Sequence, residues 1–245
     1  TSGADRDALE WVLPVEREVL LDTVATSGAI DGSVTEQVAR PDGAMLTYGG
    51  LDIDVATTAL VGVGSGLGYL TAYPHECLEQ RTSRALGDLM ALRVRERAGL
   101  KLSEEKLRAD VQDVLGELPG FRVSGGGLSY WSGSWRASVL ASAYALELMA
   151  RAKEDGFTVD KGLMADTSQF LRDVMAGRRS EAHDWDLDPG LALVGRSYVA
   201  ASLARAGAGD AGLNNTLFGK RKELSVFGTA SLLEAIVLTS GADAR

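Results

Sequence analysis

The sequence predicts a mainly α-helical domain over residues 55–245, laid out as two layers of helices, with a short strand-forming segment over residues 1–54 ahead of it. Three patterns carry that prediction. Leu163, Met164, Thr167, Phe170, Leu171, Val174 and Met175 fall at i, i+3/i+4, i+7 spacing, which defines one apolar face of a helix. Val139 to Ala150 and Leu191 to Ala204 are instead apolar nearly all round, and such helices need cover on every side. Leu51-Asp52-Ile53-Asp54-Val55 alternates strictly, as a half-buried strand does.

Taken in chain order, the first 54 residues mix β-branched and polar types in Glu18–Val24 and Ser33–Val38, punctuated by Gly28, Gly32 and Gly43. From Val55 onward the pattern is helical. One helix runs through Leu86, Leu89 and Met90. The next starts at Ser103, an N-cap residue with Glu104 and Glu105 in its first turn, shows Leu107, Val111, Val114, Leu115 and Leu118 on one face, and stops at Pro119-Gly120. Seven or eight helices follow from such counting. Outer amphipathic helices alternating with inner apolar ones give a layered helical fold, of which an α/α toroid of helical hairpins is one form.

Composition narrows the function classes. Hydrophobic residues at 45% and charged residues at 24% are the balance of a chain able to bury a core. The net charge is −9, from 25 basic against 34 acidic residues, and no Lys/Arg stripe offsets it, so nucleic acid is not expected as a partner. Val55 to Pro74 carries no charge, and about 20 apolar residues span a bilayer. Gly62, Gly64, Gly66, Gly68, Thr57, Thr58, Ser65 and Thr71 make it too polar for lipid, which predicts a buried helix and no membrane insertion. The chain opens on Thr1-Ser2-Gly3, which predicts an excised or processed piece with any targeting signal outside it.

There is one cysteine, so no internal disulfide can form. Cys77 stands in Tyr73-Pro74-His75-Glu76-Cys77-Leu78-Glu79-Gln80, directly before a helix. Residues three apart on a helical turn share a face, so the Cys77 sulfur and the Gln80 carbonyl can meet. Attack of the sulfur on the amide carbon, with loss of ammonia, makes an internal thioester. That bond is a far better acyl donor than the amide it replaces, and it lasts only where water is kept out.

The run Tyr-Pro-x-x-Cys-Leu-Glu-Gln-x-x-Ser-Arg, Tyr73 to Arg84, resembles the thioester segment of bacterial alpha-2-macroglobulins, a family related to animal alpha-2-macroglobulins and complement components. Gly125-Gly126-Gly127-Leu128-Ser129-Tyr130-Trp131, followed by Ser134-Trp135, resembles the family's Gly-Gly-x-x-x-Trp segment, and Ser197-Tyr198 leading to Leu203-Ala204-Arg205-Ala206-Gly207 resembles another of its helices. Leu13-Pro14-Val15 and the β-like region resemble the CUB-like strands that precede the thioester domain. The resemblance implies a partial CUB-like domain over 1–54 and a thioester-containing α/α toroid over 55–245. It implies a protease trap rather than an enzyme. After a protease cuts a bait segment elsewhere in the parent protein, Gln80 acylates a lysine amine or a hydroxyl on it and Cys77 leaves as thiolate. Glu79 belongs to the motif without an assigned chemical step. His183 lies in roughly the region where some complement members carry a histidine that takes over the acyl group, and an ordinary exposed loop histidine is the other reading. The implied partners are target proteases, held covalently, and the other domains of the parent protein; the implied location is outside the cytoplasm, in a bacterial periplasm, with the parent protein anchored to the inner membrane in some members. The family usually has glycine before the cysteine, where this chain has Glu76, preceded by His75. A glutamate tolerates fewer backbone angles and sets a carboxylate beside the sulfur, which predicts a thioester that forms less readily or not at all. Tyr73, Tyr130, Trp131 and Trp135 are expected to exclude water.

Rival chemistries are weaker. His75, Cys77 and His183 with one of Asp184, Asp186 or Asp188 offer a zinc-like donor set, as a zinc-dependent toroid enzyme of the prenyltransferase kind would use. His75 and Cys77 stand only two apart, which suits few helical geometries, so no metal or cofactor is expected. Asp184-Trp185-Asp186-Leu187-Asp188 lacks the turn glycine and final glutamate of a calcium loop, having Pro189 and Gly195 there. Gly62 to Gly68 lacks the spacing of a phosphate cradle. A family member without its thioester, serving as a binding or scaffold domain, is the non-covalent alternative.

Overall fold

The structure, a computed structural model, describes residues 8–15, 20, 22–45, 47–55, 57, 66, 69–70, 76–96, 102–179 and 189–241, with the backbone alone for 189–191. The chain divides into two compact units, Thr1–Asp54 and Val55–Arg245. In the first, every described side chain is exposed and no strand ladder forms among the described residues. The alternation of Leu51–Asp54 therefore has no paired neighbour among the described residues, and a strand without one cannot satisfy its backbone or cover an apolar face. Most of Val55 to Pro74 lies outside the described residues; no described helix is long and apolar enough to cross a membrane.

The second unit is helical, with seven α-helices among the described residues: α1 (Leu78–Val94), α2 (Glu104–Glu117), α3 (Val139–Glu154), α4 (Lys161–Met175), α5 (Pro189–Arg205), α6 (Ala211–Gly219) and α7 (Val226–Ser240). Their starts follow the local chemistry. Ser103 caps α2 by accepting from Lys106 N at 3.3 Å, and Asp160 caps α4 by accepting from Gly162 N and Leu163 N at 2.8 and 3.0 Å. Ser138, Asp210 and Ser225 cap α3, α6 and α7 in the same way. The Leu118–Phe121 3₁₀ turn, with Pro119 inside it, ends α2 where that proline forbids a further helical turn.

Packing sorts the helices into two layers. Helices α1, α3, α5 and α7 lie side by side in that order, while α2 packs on α1, α4 spans α3 and α5, and α6 spans α5 and α7. This is an arc of helical hairpins, and α7 with α1 is not among the closely packed pairs. The burial pattern explains the order. Helix α3 buries Ala141, Ala143, Ala145, Leu146, Leu148, Met149, Ala150 and Ala152 over most of its girth, with one half-buried stripe through Leu140, Tyr144, Glu147 and Arg151, as befits an inner helix. Helix α4 buries one stripe, Leu163, Met164, Thr167, Phe170, Leu171 and Val174, as an outer helix should. Fully buried side chains such as Leu146, Leu148, Phe170 and Leu171 each contribute roughly 1.5–3 kcal/mol of apolar burial. Ala200, Ala201, Ala204 and Ala235, with Leu217 and Leu232, let α5, α6 and α7 approach closely over a second small core.

Candidate functional site

Cys77 occupies the N-cap of α1 with an extended backbone, φ −70° and ψ 165°, and Gln80 is the third residue of the helix. The two form a capping box, in which the Cys77 side chain faces the Gln80 N–H and the Gln80 side chain reaches back to Cys77. The Gln80 carbonyl Oε1 accepts from the Cys77 N–H at 3.2 Å. A cap with serine or threonine would be an ordinary helix start. With sulfur and a carboxamide, the same local geometry sets a nucleophile beside an acyl carbon. Negative charge developing on Oε1 during attack would fall on an N–H already aimed at it, at the positive end of a helix dipole. Cys77 is 7% exposed and Leu78 is fully buried, so the sulfur sits against the core rather than in water.

A glycine-rich hairpin holds this helix end in place. Val123 N donates to Gly127 O at 2.9 Å, Ser138 N to Leu128 O at 2.8 Å, and Ser129 N to Phe121 O at 2.9 Å. Ser142 Oγ completes the anchor by accepting from Leu128 N at 2.9 Å. The hairpin delivers the Tyr130 carbonyl to the Leu78 N–H at 2.8 Å, satisfying one of the first-turn donors that have no partner within the helix. Glycine is required at two of its positions for different reasons. Gly126 has φ 93° and its missing Cβ would lie 2.8 Å from Asp166 O, while a Cβ on Gly127 would lie 2.8 Å from Ala137 Cβ and 2.9 Å from the Phe170 ring.

Glu76 stands where the family's glycine was the expectation. Among the described residues no non-glycine residue has a positive φ. Its carboxylate pairs with Arg81 Nη2 at 2.6 Å, and Arg81 Nε donates to the Glu76 carbonyl at 3.0 Å. Arg81 also reaches Glu117 on α2. Glu76 thus shares a cation from the next turn with Glu117.

On the other side of Gln80, Glu79 Oε1 accepts from Ser83 Oγ at 2.8 Å, and Ser83 Oγ lies 3.1 Å from Tyr144 OH on α3. Burial pushes the Tyr144 phenol up and keeps it protonated. Tyr198 donates to Glu147 Oε2 at 2.6 Å, its phenol likewise raised by burial and by the Glu147 charge. A cavity of about 250 Å³ opens beside this face, lined by Tyr69, Leu70, Glu79, Gln80 and Ser83.

The structure therefore brings Cys77, Glu79 and Gln80 to one helix end. His183 lies outside the described residues, as do His75, Tyr73, Pro74, Asp184, Asp186 and Asp188, so the acyl-acceptor and zinc assignments rest on the sequence alone. No group of three metal-donor side chains occurs among the described residues. Of the aromatics expected to exclude water, Tyr130 is 40%, Trp131 58% and Trp135 85% exposed. Sequence reasoning missed Arg81, Tyr144 and the Tyr130 carbonyl as parts of the site. Only the i, i+4 spacing of Glu79 and Ser83 could have signalled the cavity wall.

No protein-family model matches the chain, and neither does any curated protein. Solved structures do. A native alpha-2-macroglobulin piece from Escherichia coli matches with a TM-score of 0.62 at 23% identity, over 74% of this chain and 29% of that one. Salmonella alpha-2-macroglobulin reacted with methylamine matches at 0.63 and 22% identity, over 75% and 12%. Trypsin-activated Escherichia coli alpha-2-macroglobulin matches at 0.59 and 24% identity, over 70% and 12%. The chain spans less than a third of the length of these proteins. At such identity the likeness shows the fold, which is that of a helical region of bacterial alpha-2-macroglobulins.

Proposed function

We propose that this chain is the thioester-bearing helical domain of a bacterial alpha-2-macroglobulin, and that Cys77 and Gln80 form the bond by which the parent protein captures proteases covalently. One observation carries the reading: the reciprocal capping of Cys77 and Gln80, with Oε1 held by the Cys77 N–H at 3.2 Å. The matched Salmonella protein was reacted with methylamine, a small amine nucleophile, and the matched Escherichia coli protein was activated by a protease, which supports the same chemistry here.

In bond formation, Cys77 Sγ attacks Gln80 Cδ and the tetrahedral oxyanion is met by the Cys77 N–H. The C–N bond breaks, and nitrogen leaves as ammonia with the thiol proton. In capture, an amine or hydroxyl of the protease attacks the same carbon, the C–S bond breaks, and the electron pair departs on Sγ. Each domain fires once, so this is acyl transfer without turnover. The matched structures cover more than this chain does, and the segment that senses the protease belongs to the remainder of the parent protein. Under this reading the parent acts outside the cytoplasm, in a bacterial periplasm.

Thiol titration tests the proposal cleanly, because Cys77 is the only cysteine. Before treatment the chain should yield no reactive thiol; methylamine should release one equivalent. A thiol that reacts at the outset and is unaffected by methylamine would leave the chain as a family member without a thioester, acting as a binding or scaffold domain.

A further inference from the structure

The peptide bond joining Glu76 to Cys77 is gripped at both ends by adjacent residues of α1. Its N–H, on Cys77, donates to Gln80 Oε1 at 3.2 Å, and its carbonyl, on Glu76, accepts from Arg81 Nε at 3.0 Å. A peptide unit is a rigid plane in which the carbonyl and the N–H of a trans bond point in opposite directions, so fixing one end aims the other. The Cys77 carbonyl accepts the first bond of the helix ladder, from Arg81 N at 3.1 Å. The Glu76 carbonyl, one residue earlier, has no place in that ladder, and the Arg81 side chain meets it instead. The other guanidinium nitrogens are engaged as well. Nη2 bonds the Glu76 carboxylate at 2.6 Å, and Nη1 reaches Glu117 at the end of α2. The guanidinium carbon stands 6.0 Å from the centre of the Phe121 ring. Arg81 therefore holds three oxygens at once, which suits a fork of fixed donors and not the point charge of a lysine.

We infer that Arg81 is a positioning residue for thioester formation: through the Glu76 carbonyl it sets the direction of the Cys77 N–H, and with it the place that Gln80 Oε1 takes beside the sulfur. The inference rests on the thioester reading above and adds no bond-making step to it. Cys77 Sγ still bonds Gln80 Cδ, the C–N bond breaks, and ammonia leaves with the thiol proton. Arg81 touches none of the reacting atoms. It removes a rotation of the peptide ahead of the helix, so that the N–H stays aimed where negative charge develops. Glu76 gains a purpose in this arrangement. A glycine at that position would offer Arg81 only a carbonyl, whereas the glutamate adds a carboxylate that holds the fork over that carbonyl.

Two readouts test this. Intact mass, taken at a fixed short time after synthesis, gives the ratio of chain lighter by one ammonia to chain of full mass. Hydrogen exchange follows the Cys77 and Leu78 amides. Arg81→Ala should lower the mass ratio about tenfold, the worth of one hydrogen bond to a charged group. Arg81→Lys keeps the charge without the fork and should fall between Arg81→Ala and wild type. Glu117→Ala removes only the tie to α2 and should keep the wild-type ratio. In Arg81→Lys the Cys77 amide should lose protection, while the Leu78 amide, held by the Tyr130 carbonyl at 2.8 Å, should keep its own. A ratio unmoved in both Arg81 variants overturns the positioning role while the thioester stands. So does a Glu117→Ala ratio as low as that of Arg81→Ala, or equal loss of protection at both amides, since either marks a general loosening of the helix end. A wild-type chain that is not lighter by one ammonia overturns both readings.

Discussion

Asp88 lies on α1 and is 2% exposed, facing the α1–α2 interface rather than solvent. Its Oδ2 is buried and makes no hydrogen bond among the described residues. Burial, reinforced by the Asp110 charge and opposed by Arg84 and Lys106, pushes its carboxyl up from 3.8 to about 6. Each tenfold change in proton affinity is about 1.36 kcal/mol, so ionised Asp88 costs the fold roughly 3 kcal/mol at most. The sign follows from linkage. Between pH 6 and pH 4 the folded chain binds a proton that the unfolded chain does not. Stability is therefore gained as pH falls through about 6, and is lost again as pH rises through it. Asp88→Asn removes the charge and keeps the shape. It should stabilise the helical unit by about 1–3 kcal/mol at pH 7.5, with the gain shrinking to about a third of that near pH 4.5. Urea unfolding followed by helical circular dichroism at the two pH values measures this. An Asn variant less stable than wild type at pH 7.5, or a gain independent of pH, would refute the argument that Asp88 is buried as an unsatisfied acid.

Two further variants probe the supports of the site. Gly126→Ala sets a side chain at φ 93° and 2.8 Å from Asp166 O, so it should destabilise by roughly 2 kcal/mol or more and lower the thermal midpoint. Because the hairpin carries the Tyr130 carbonyl to Leu78, Gly126→Ala should also speed exchange of the Leu78 amide with solvent, read by hydrogen exchange. Asp160→Ala removes the cap on Gly162 and Leu163 and should cost about 1 kcal/mol in urea unfolding, without altering the methylamine reaction.

The sequence reveals whatever is written within one or two helical turns. The all-apolar runs of α3 and α5 identify inner helices, because such helices have no other stable position. The stripe of Leu163, Met164, Thr167, Phe170, Leu171 and Val174 identifies an outer one. The Cys77–Gln80 spacing is equally local, and the capping box follows from it. What escaped is tertiary. Glu76 was legible as a charge but not as a charge with Arg81 wrapped around it. Tyr144 meets Ser83 across 61 positions, and no periodicity encodes that contact. Asp88 breaks the helical pattern silently, since a buried acid on a polar-looking face reads as a solvated one. The alternation at Leu51–Val55 reads as a strand, but pairing depends on a partner that local pattern does not supply.

The most direct measurement is peptide mass mapping of the Cys77–Gln80 segment before and after methylamine. The account predicts a segment lighter by one ammonia at first. After methylamine, a methylamide should stand on Gln80 and a free thiol on Cys77. An unmodified Gln80 carboxamide beside an already free Cys77 thiol, unchanged by methylamine, would contradict it.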